Sequence, residues 1–378
     1  MRVGILTSGG DCQALNATMR GLALTLYRNV KDVEIIGFID GYKGLMYEKY
    51  KKMKPKDFYD ILNVGGSILG NSRCPFKRMR IIENGFDKVK AMKNTYKKLE
   101  LDCLVVLGGN GSIKSANMLS QEGLNVIALP KTIDNDAWGT DYTFGYSSAT
   151  AIATRYLDEI KTTAASHSRV FVIEVMGHKV GHICLSAGIA AGADVILLPE
   201  IPYDIKVVAK KVKETLKNEK NYAIIACAEG AISEADALMK RKDYKAKVLA
   251  RNGRSVAYEV ADELSQEIDA EIRVSCIGHA QRGGNPNSYD REISTRFGVE
   301  GARLIIKKHY GEYVVLQTSV YKGYKQDKIE MRGDRAEMSD FPLYLNTVAG
   351  GLDRRDQTIG GFSFVVKIYA VPVVEIIG

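Results

Sequence analysis

A chain of 378 residues exceeds what one small core needs and fits two domains. An apolar share of 46% against 26% charged residues excludes a disordered chain, and no apolar run reaches the roughly 18–20 residues of a membrane helix. The net charge of +8 suits nucleic acid or phosphorylated small molecules. The lysines between 206 and 220 form a solvated helical face, however, and an aromatic and basic recognition module is lacking, which argues against nucleic acid.

Strands are expected at 3–7, 33–38, 103–107 and 125–129, with helices at 16–27, 82–99 and 112–121 between them. The first residues read as a β-strand, not as a signal peptide. The pattern resumes with a strand at 169–175, a helix at 181–191, a strand at 194–199, a helix at 205–218 and a strand at 222–228. A strand at 271–277 and a helix from about 290 to 309 follow. This alternation predicts βαβ units and parallel sheets, hence an α/β fold. Residues 322–353 are polar and irregular, and 362–377 is a β-like run. With no linker rich in Pro, Ser or Gly and no internal repeat, the two domains are expected to be joined by short crossings.

The six cysteines stand singly, without a CxxC pair, and read as reduced thiols of a cytoplasmic protein. Cys103, Cys227 and Cys276 lie in apolar runs and are expected in the core. The histidines show no metal-ligand spacing.

Two glycine turns follow strands and precede helices: Thr7-Ser8-Gly9-Gly10-Asp11 and Gly108-Gly109-Asn110-Gly111-Ser112. Such turns let the backbone approach a phosphate, and the following helix aims its first N–H groups at it. Neither matches GxGxxG or the P-loop pattern, which excludes the usual dinucleotide and P-loop readings. A third strand leads into Pro130-Lys131-Thr132-Ile133-Asp134-Asn135-Asp136. In an extended loop, residues two apart share a face about 7 Å apart. Asp134 can then remove a proton while Asp136 holds a metal, with Asn135 turned away; the bland alternative is an Asx-turn. Arg73 follows a glycine turn, Arg169 and Arg273 begin strands, and Arg282 lies in Gly278-His279-Ala280-Gln281-Arg282-Gly283-Gly284. Together they suit a cationic lining for two phosphate groups.

These segments, with Asp40-Gly41-Tyr42, residues 66–73, Ser166-His167-Ser168-Arg169, Glu174-Val175-Met176-Gly177 and residues 277–286, resemble the phosphofructokinase family in order and spacing over residues 1–303. The resemblance implies two parallel-sheet α/β domains with the active site in the cleft between them. It divides the chain into a phosphoryl-donor domain, 1–145 plus about 281–333, and a sugar-phosphate domain, 146–280 plus about 334–378. The implied reaction is glycolytic transfer of a phosphoryl group from ATP, with Mg2+, to the 1-hydroxyl of fructose 6-phosphate. Asp134 matches the base and Thr132 a contact to the moving group, with Arg73 and Arg169 stabilising it. Arg169, Met176, Gly177, Glu229, Arg273, His279 and Arg282 match sugar-phosphate binders. Gly10, Tyr42, Arg73, Cys74, Gly109, Asn110, Gly111, Ser112 and Lys131 match the donor side. Family enzymes are homotetramers or homodimers, and Arg169 and Arg273 occupy positions lent to a neighbouring subunit.

Three departures stand out. Asn110 replaces an acid associated with the metal, which shifts Mg2+ binding toward Asp136. Gly111 is the small residue of ATP users, whereas Lys131 is the lysine of pyrophosphate users. Bulk is harder to accommodate than a flexible cation, so Gly111 favours ATP over the pyrophosphate-dependent alternative. Arg20 matches an effector arginine, but Leu24 one turn later breaks that site. Asn110 and the unusual tail also admit a weakly active regulatory paralogue that binds sugar phosphate, against which the retained Asp134, Asp136, Thr132 and Arg73 argue.

Overall fold

The computed structural model describes residues 1–218, 220–322, 325–327, 358–359 and 362–372. The first stretch runs β1 (Arg2–Thr7), α1 (Leu15–Asn29), β2 (Glu34–Phe38), α2 (Tyr42–Met46), β3 (Tyr50–Met53), α3 (Lys88–Lys98), β4 (Cys103–Gly108), α4 (Asn110–Gln121) and β5 (Val126–Pro130). The second runs α5 (Tyr146–His167), β6 (Val170–Val175), α6 (His182–Ala190), β7 (Val195–Leu197), α7 (Ile205–Asn218), β8 (Ala223–Ala228), α8 (Glu234–Ala237), α9 (Arg241–Ala250), α10 (Val256–Ser265) and β9 (Ile272–Cys276). The last comprises α11 (Ser288–Ile306), β10 (Glu312–Lys322), β11 (Lys325–Asp327), β12 (Thr358–Ile359) and β13 (Phe362–Pro372).

Two units result. The first holds Met1–Thr132, Ala137–Phe144 and the described residues from Arg291 onward; the second holds Ile133–Asp136 and Gly145–Asp290. The sheet of the first unit has the order β12-β13-β10-β5-β4-β1-β2-β3. Its members from β10 to β2 are parallel, and β3 closes one edge antiparallel. The register sets Thr7 beside Leu107 and Gly108 beside Pro130. The turns after β1, β4 and β5 therefore leave from one carboxyl edge, where ligands bind in open α/β sheets. The second unit has a wholly parallel sheet, β7-β8-β6-β9. Its register aligns Cys227, Glu174 and Cys276 in one row, so the residues that follow share the other carboxyl edge.

The apolar runs are strands because they are buried on both faces, as parallel strands under helices must be. β4 and β8 are buried at every residue. Helix α3 begins at Lys88, later than the expected 82, because the Asp87 carboxylate caps it by accepting the Lys90 N–H at 3.0 Å. Helix α4 begins two residues early, at Asn110, with extended Gly109 as its N-cap. Helix α5 had no sequence expectation, since its fully buried face consists mainly of small residues, Ser148, Ala149, Ala153 and Ala164, beside Leu157.

Three expectations need correction. Cys276 is exposed at the end of β9, whereas Cys103 and Cys227 are buried as expected. Residues 281–290 belong to the second unit, because Asn287 bonds Ser147 and Ser148 while Asp290 accepts the N–H groups of Gly145 and Ser148. The β-like tail was expected with the sugar-phosphate domain, yet β13 pairs antiparallel with β10 in the first sheet. Residues 323–324, 328–357, 360–361 and 373–378, which include most of the expected irregular stretch, lie outside the described residues.

Candidate active site

In the first unit the three turns are knitted together by backbone groups. The Ser8 N–H donates to the Leu107 carbonyl at 2.9 Å, and the Gly9 N–H to the Ser72 carbonyl at 3.1 Å. The Thr7 hydroxyl donates to the Gly70 carbonyl at 2.7 Å, and the Lys131 N–H to the Gly108 carbonyl at 3.0 Å. Arg73, exposed, therefore leaves a turn fastened beside Gly9 and Gly10. Cys74 is half-buried against the core, its sulfur 3.9 Å from the Ser72 hydroxyl. Two glycines are dictated by close approach. Gly41 has φ +65, and a side chain there would overlap the Thr7 carbonyl; one at Gly108 would overlap Ser112.

The second glycine turn opens directly into α4. Asn110 and Gly111 form its first turn, at the positive end of the helix, which favours an anion. A side chain at Gly111 would meet nothing within 4 Å, so the space in front of it is open. Ser112 is buried. Tyr42 requires a correction, because it is fully buried and its hydroxyl donates to the Ser112 carbonyl at 2.8 Å. It braces α4 and has no surface to offer a ligand. Lys131 is also buried, and its ammonium donates to the Gly10 carbonyl. Thr132 is buried, with its carbonyl accepting the Thr143 hydroxyl at 2.7 Å.

The second unit supplies the carboxylates. The loop through Asp134 is not extended: Asn135 takes a left-handed conformation at φ 52, which an Asn tolerates. Asp134 and Asp136 nonetheless remain within electrostatic reach of each other. Burial pushes the Asp134 carboxyl above its ordinary value, the negative charges of Asp136 and Glu229 add to this, and Arg282 and His178 pull it down. Asp134 thus stands among Asp136, Glu229, Arg282 and His178.

The turn after β6 is held from two sides. Glu229, at the end of β8, accepts the N–H groups of Gly177 and His178. Gln281 is fully buried, and its side-chain oxygen accepts the Met176 N–H at 2.7 Å. That bond ties Met176 and Gly177 to the segment carrying His279 and Arg282. Glu174 is raised chiefly by burial, while bonds from the Ser255 hydroxyl and the Val256 N–H at the start of α10 oppose the shift.

Arg169 and Arg273 are elsewhere. They precede or open β6 and β9 at the amino edge of the second sheet, where Glu271 binds both. From Arg169 to Met176 is on the order of 20 Å along the strand. One chain therefore does not bring these arginines to its own Asp134. Their guanidinium groups, Arg169 first, hold the Glu271 carboxyl below its usual range.

His178 and Gln281 were not expected at the site, because they stand in glycine-bounded segments without a spacing that distinguishes them. Glu271 carried one usable signal, an acid flanking a strand that opens with Arg273. Among the described residues no group of three or more His, Cys, Asp or Glu gathers to hold a metal by itself. Asp136 lies in the second unit and Asn110 in the first.

The phosphofructokinase family model matches residues 2–305. An ATP-dependent 6-phosphofructokinase of Spirochaeta thermophila is 48% identical over 83% of this chain and 87% of its own. A pyrophosphate–fructose 6-phosphate 1-phosphotransferase of Amycolatopsis methanolica is 40% identical over 84% of this chain and 91% of its own. The solved phosphofructokinase of Saccharomyces cerevisiae superposes with a TM-score of 0.72 at 28% identity over 83% of this chain, which spans only 43% of the yeast chain.

Proposed function

The chain belongs to the phosphofructokinase family, and on that premise we propose that Asp134 is the base of an ATP-dependent 6-phosphofructokinase. The enzyme transfers the γ-phosphoryl group of ATP to the 1-hydroxyl of fructose 6-phosphate, a glycolytic step. The observation that carries the assignment is the setting of Asp134: a half-buried carboxyl made more basic by its surroundings, yet faced by Arg282 and His178.

Phosphoryl transfer passes through a loose transition state, so the protein mainly aligns the reactants and balances charge. Asp134 takes the proton of the acceptor hydroxyl, and a raised pKa improves it as a base near neutral pH. Met176, Gly177 and Glu229 position the sugar; His279 and Arg282 bind its phosphate. The glycine turns, the first turn of α4 and Arg73 hold the donor phosphates, with Thr132 beside the moving group. A divalent cation, Mg2+ in this reading, supplies charge neutralisation across the donor phosphates when bound. Asp136 would supply a carboxylate to it, and Asn110 its side-chain amide. Arg169 and Arg273 act on the site of a second copy of the chain, which makes the enzyme a homodimer or homotetramer. Among the described residues no helix is long and apolar enough to cross a membrane, and we place the enzyme in the cytoplasm, where free thiols persist.

ATP is favoured over pyrophosphate by two features. The space at Gly111 is open, and Lys131 is drawn inward onto the Gly10 carbonyl. Incubating the protein with fructose 6-phosphate, Mg2+ and either donor tests this: product with pyrophosphate and none with ATP would refute it. Fructose 6-phosphate binding without turnover on either donor would instead favour the regulatory paralogue.

A further inference from the structure

The first unit carries a groove beside α3 that the reaction does not use. Its wall is α3, which presents Lys90, Lys93 and Lys97 on one face at intervals of three and four residues. Arg80, Ile82 and Glu122, the C-cap of α4, also line the groove. The groove encloses about 470 Å³, a size for a small molecule and not for a macromolecule.

Four cations meet two carboxylates there, and both carboxylates are engaged. Asp87 caps α3. Glu122 accepts from Lys93 and from Arg80, each at 2.9 Å, and these two, Lys93 first, hold its carboxyl below the usual range. Lys90 and Lys97 are exposed, and neither takes part in an ion pair among the described residues. Seven residues of helix separate them by about 10 Å, the span of a short chain of linked phosphates. Arg80 is exposed, and exposed ion pairs contribute little to stability, so an incoming polyanion can take Arg80 from Glu122 at small cost, while Lys93, half-buried, stays within reach of both. Ile82, an isoleucine 61% exposed at the rim, offers an apolar contact.

We propose that this groove is an anion site separate from the glycine turns, and that it takes a small molecule carrying linked phosphate groups. Lys90, Lys93 and Lys97 bind the phosphates, and Glu122 is the internal competitor that sets the affinity.

Calorimetric titration of the full chain with inorganic tripolyphosphate tests the assignment. In Lys90→Gln/Lys97→Gln, binding at this site weakens by about tenfold or more, since two charge-assisted contacts are lost, while KM for ATP in the kinase assay is unchanged. In Glu122→Gln, binding tightens several-fold, which a folding defect would not produce. Tripolyphosphate affinity unaltered by the double substitution, or not tightened by Glu122→Gln, would overturn the proposal. So would a titration of the native chain in which only the glycine turns bind.

Discussion

The Lys131 ammonium donates to the Gly10 carbonyl and so fastens the end of β5 to the turn after β1. A lysine at the mouth of a phosphate site would ordinarily be a ligand for the donor. Buried here against its own backbone, it acts first as a strut. Lys131→Met keeps the stem and removes the bond, and is expected to cost about 1–3 kcal/mol because the Gly10 carbonyl loses a buried partner. Denaturant unfolding measures that loss. Donor assays on the same variant should still prefer ATP; a swing in preference would mean the ammonium reads the donor directly.

Asp134→Asn separates catalysis from stability. Loss of a general base typically lowers turnover by about 10²–10⁴, and calorimetry should find fructose 6-phosphate binding largely kept. The carboxyl is raised in the folded chain, so the folded state holds its proton more tightly than the unfolded one. Stability from this group is therefore full below the ordinary carboxylate pKa and is lost as pH rises through the raised value. In chelator, at neutral pH, Asp134→Asn should melt higher than the native protein. The difference should shrink as pH falls below about 4, where the unfolded carboxyl also becomes protonated. A variant that melts lower at neutral pH would contradict the electrostatic setting.

Gln281→Leu leaves the Met176 N–H without its buried acceptor. The expected effect is a KM for fructose 6-phosphate raised several-fold, with KM for ATP unchanged, because the turn it holds belongs to the second unit alone. Steady-state kinetics with each substrate varied in turn checks the split. Equal changes in both constants would point to general loosening instead.

Arg169→Ala and Asp134→Asn should complement each other if the arginine serves a neighbour. Each variant alone is expected to be nearly inactive; co-expressed, mixed assemblies contain sites with both native residues and regain measurable activity. Absence of any recovery in verified mixed assemblies would place Arg169 in its own chain's site or outside catalysis.

Much of this was legible in the sequence where short-range chemistry sets structure. Strands such as β4 and β8 are apolar throughout because both faces are covered, and the glycine turns after β1 and β4 announce the carboxyl edge. What hid was set by long-range contacts. Tyr42 matched the motif of a ligand contact, but only the fold shows its hydroxyl on the Ser112 carbonyl. The boundary at Asp290 depends on its bonds to Gly145 and Ser148, far upstream in the chain. Helix α5 buries mainly small residues and so lacks a readable apolar stripe. The kink at Asn135 replaced the expected extended loop without separating the two carboxylates, since a left-handed Asn costs little.

The most direct measurement is fructose 1,6-bisphosphate formation by the native protein and by Asp134→Asn, with fructose 6-phosphate, Mg2+ and either ATP or pyrophosphate. The account predicts product from the native protein with ATP and a collapse of turnover in the variant, with sugar-phosphate binding retained. Turnover of Asp134→Asn near the native rate, or product from pyrophosphate alone, would contradict it.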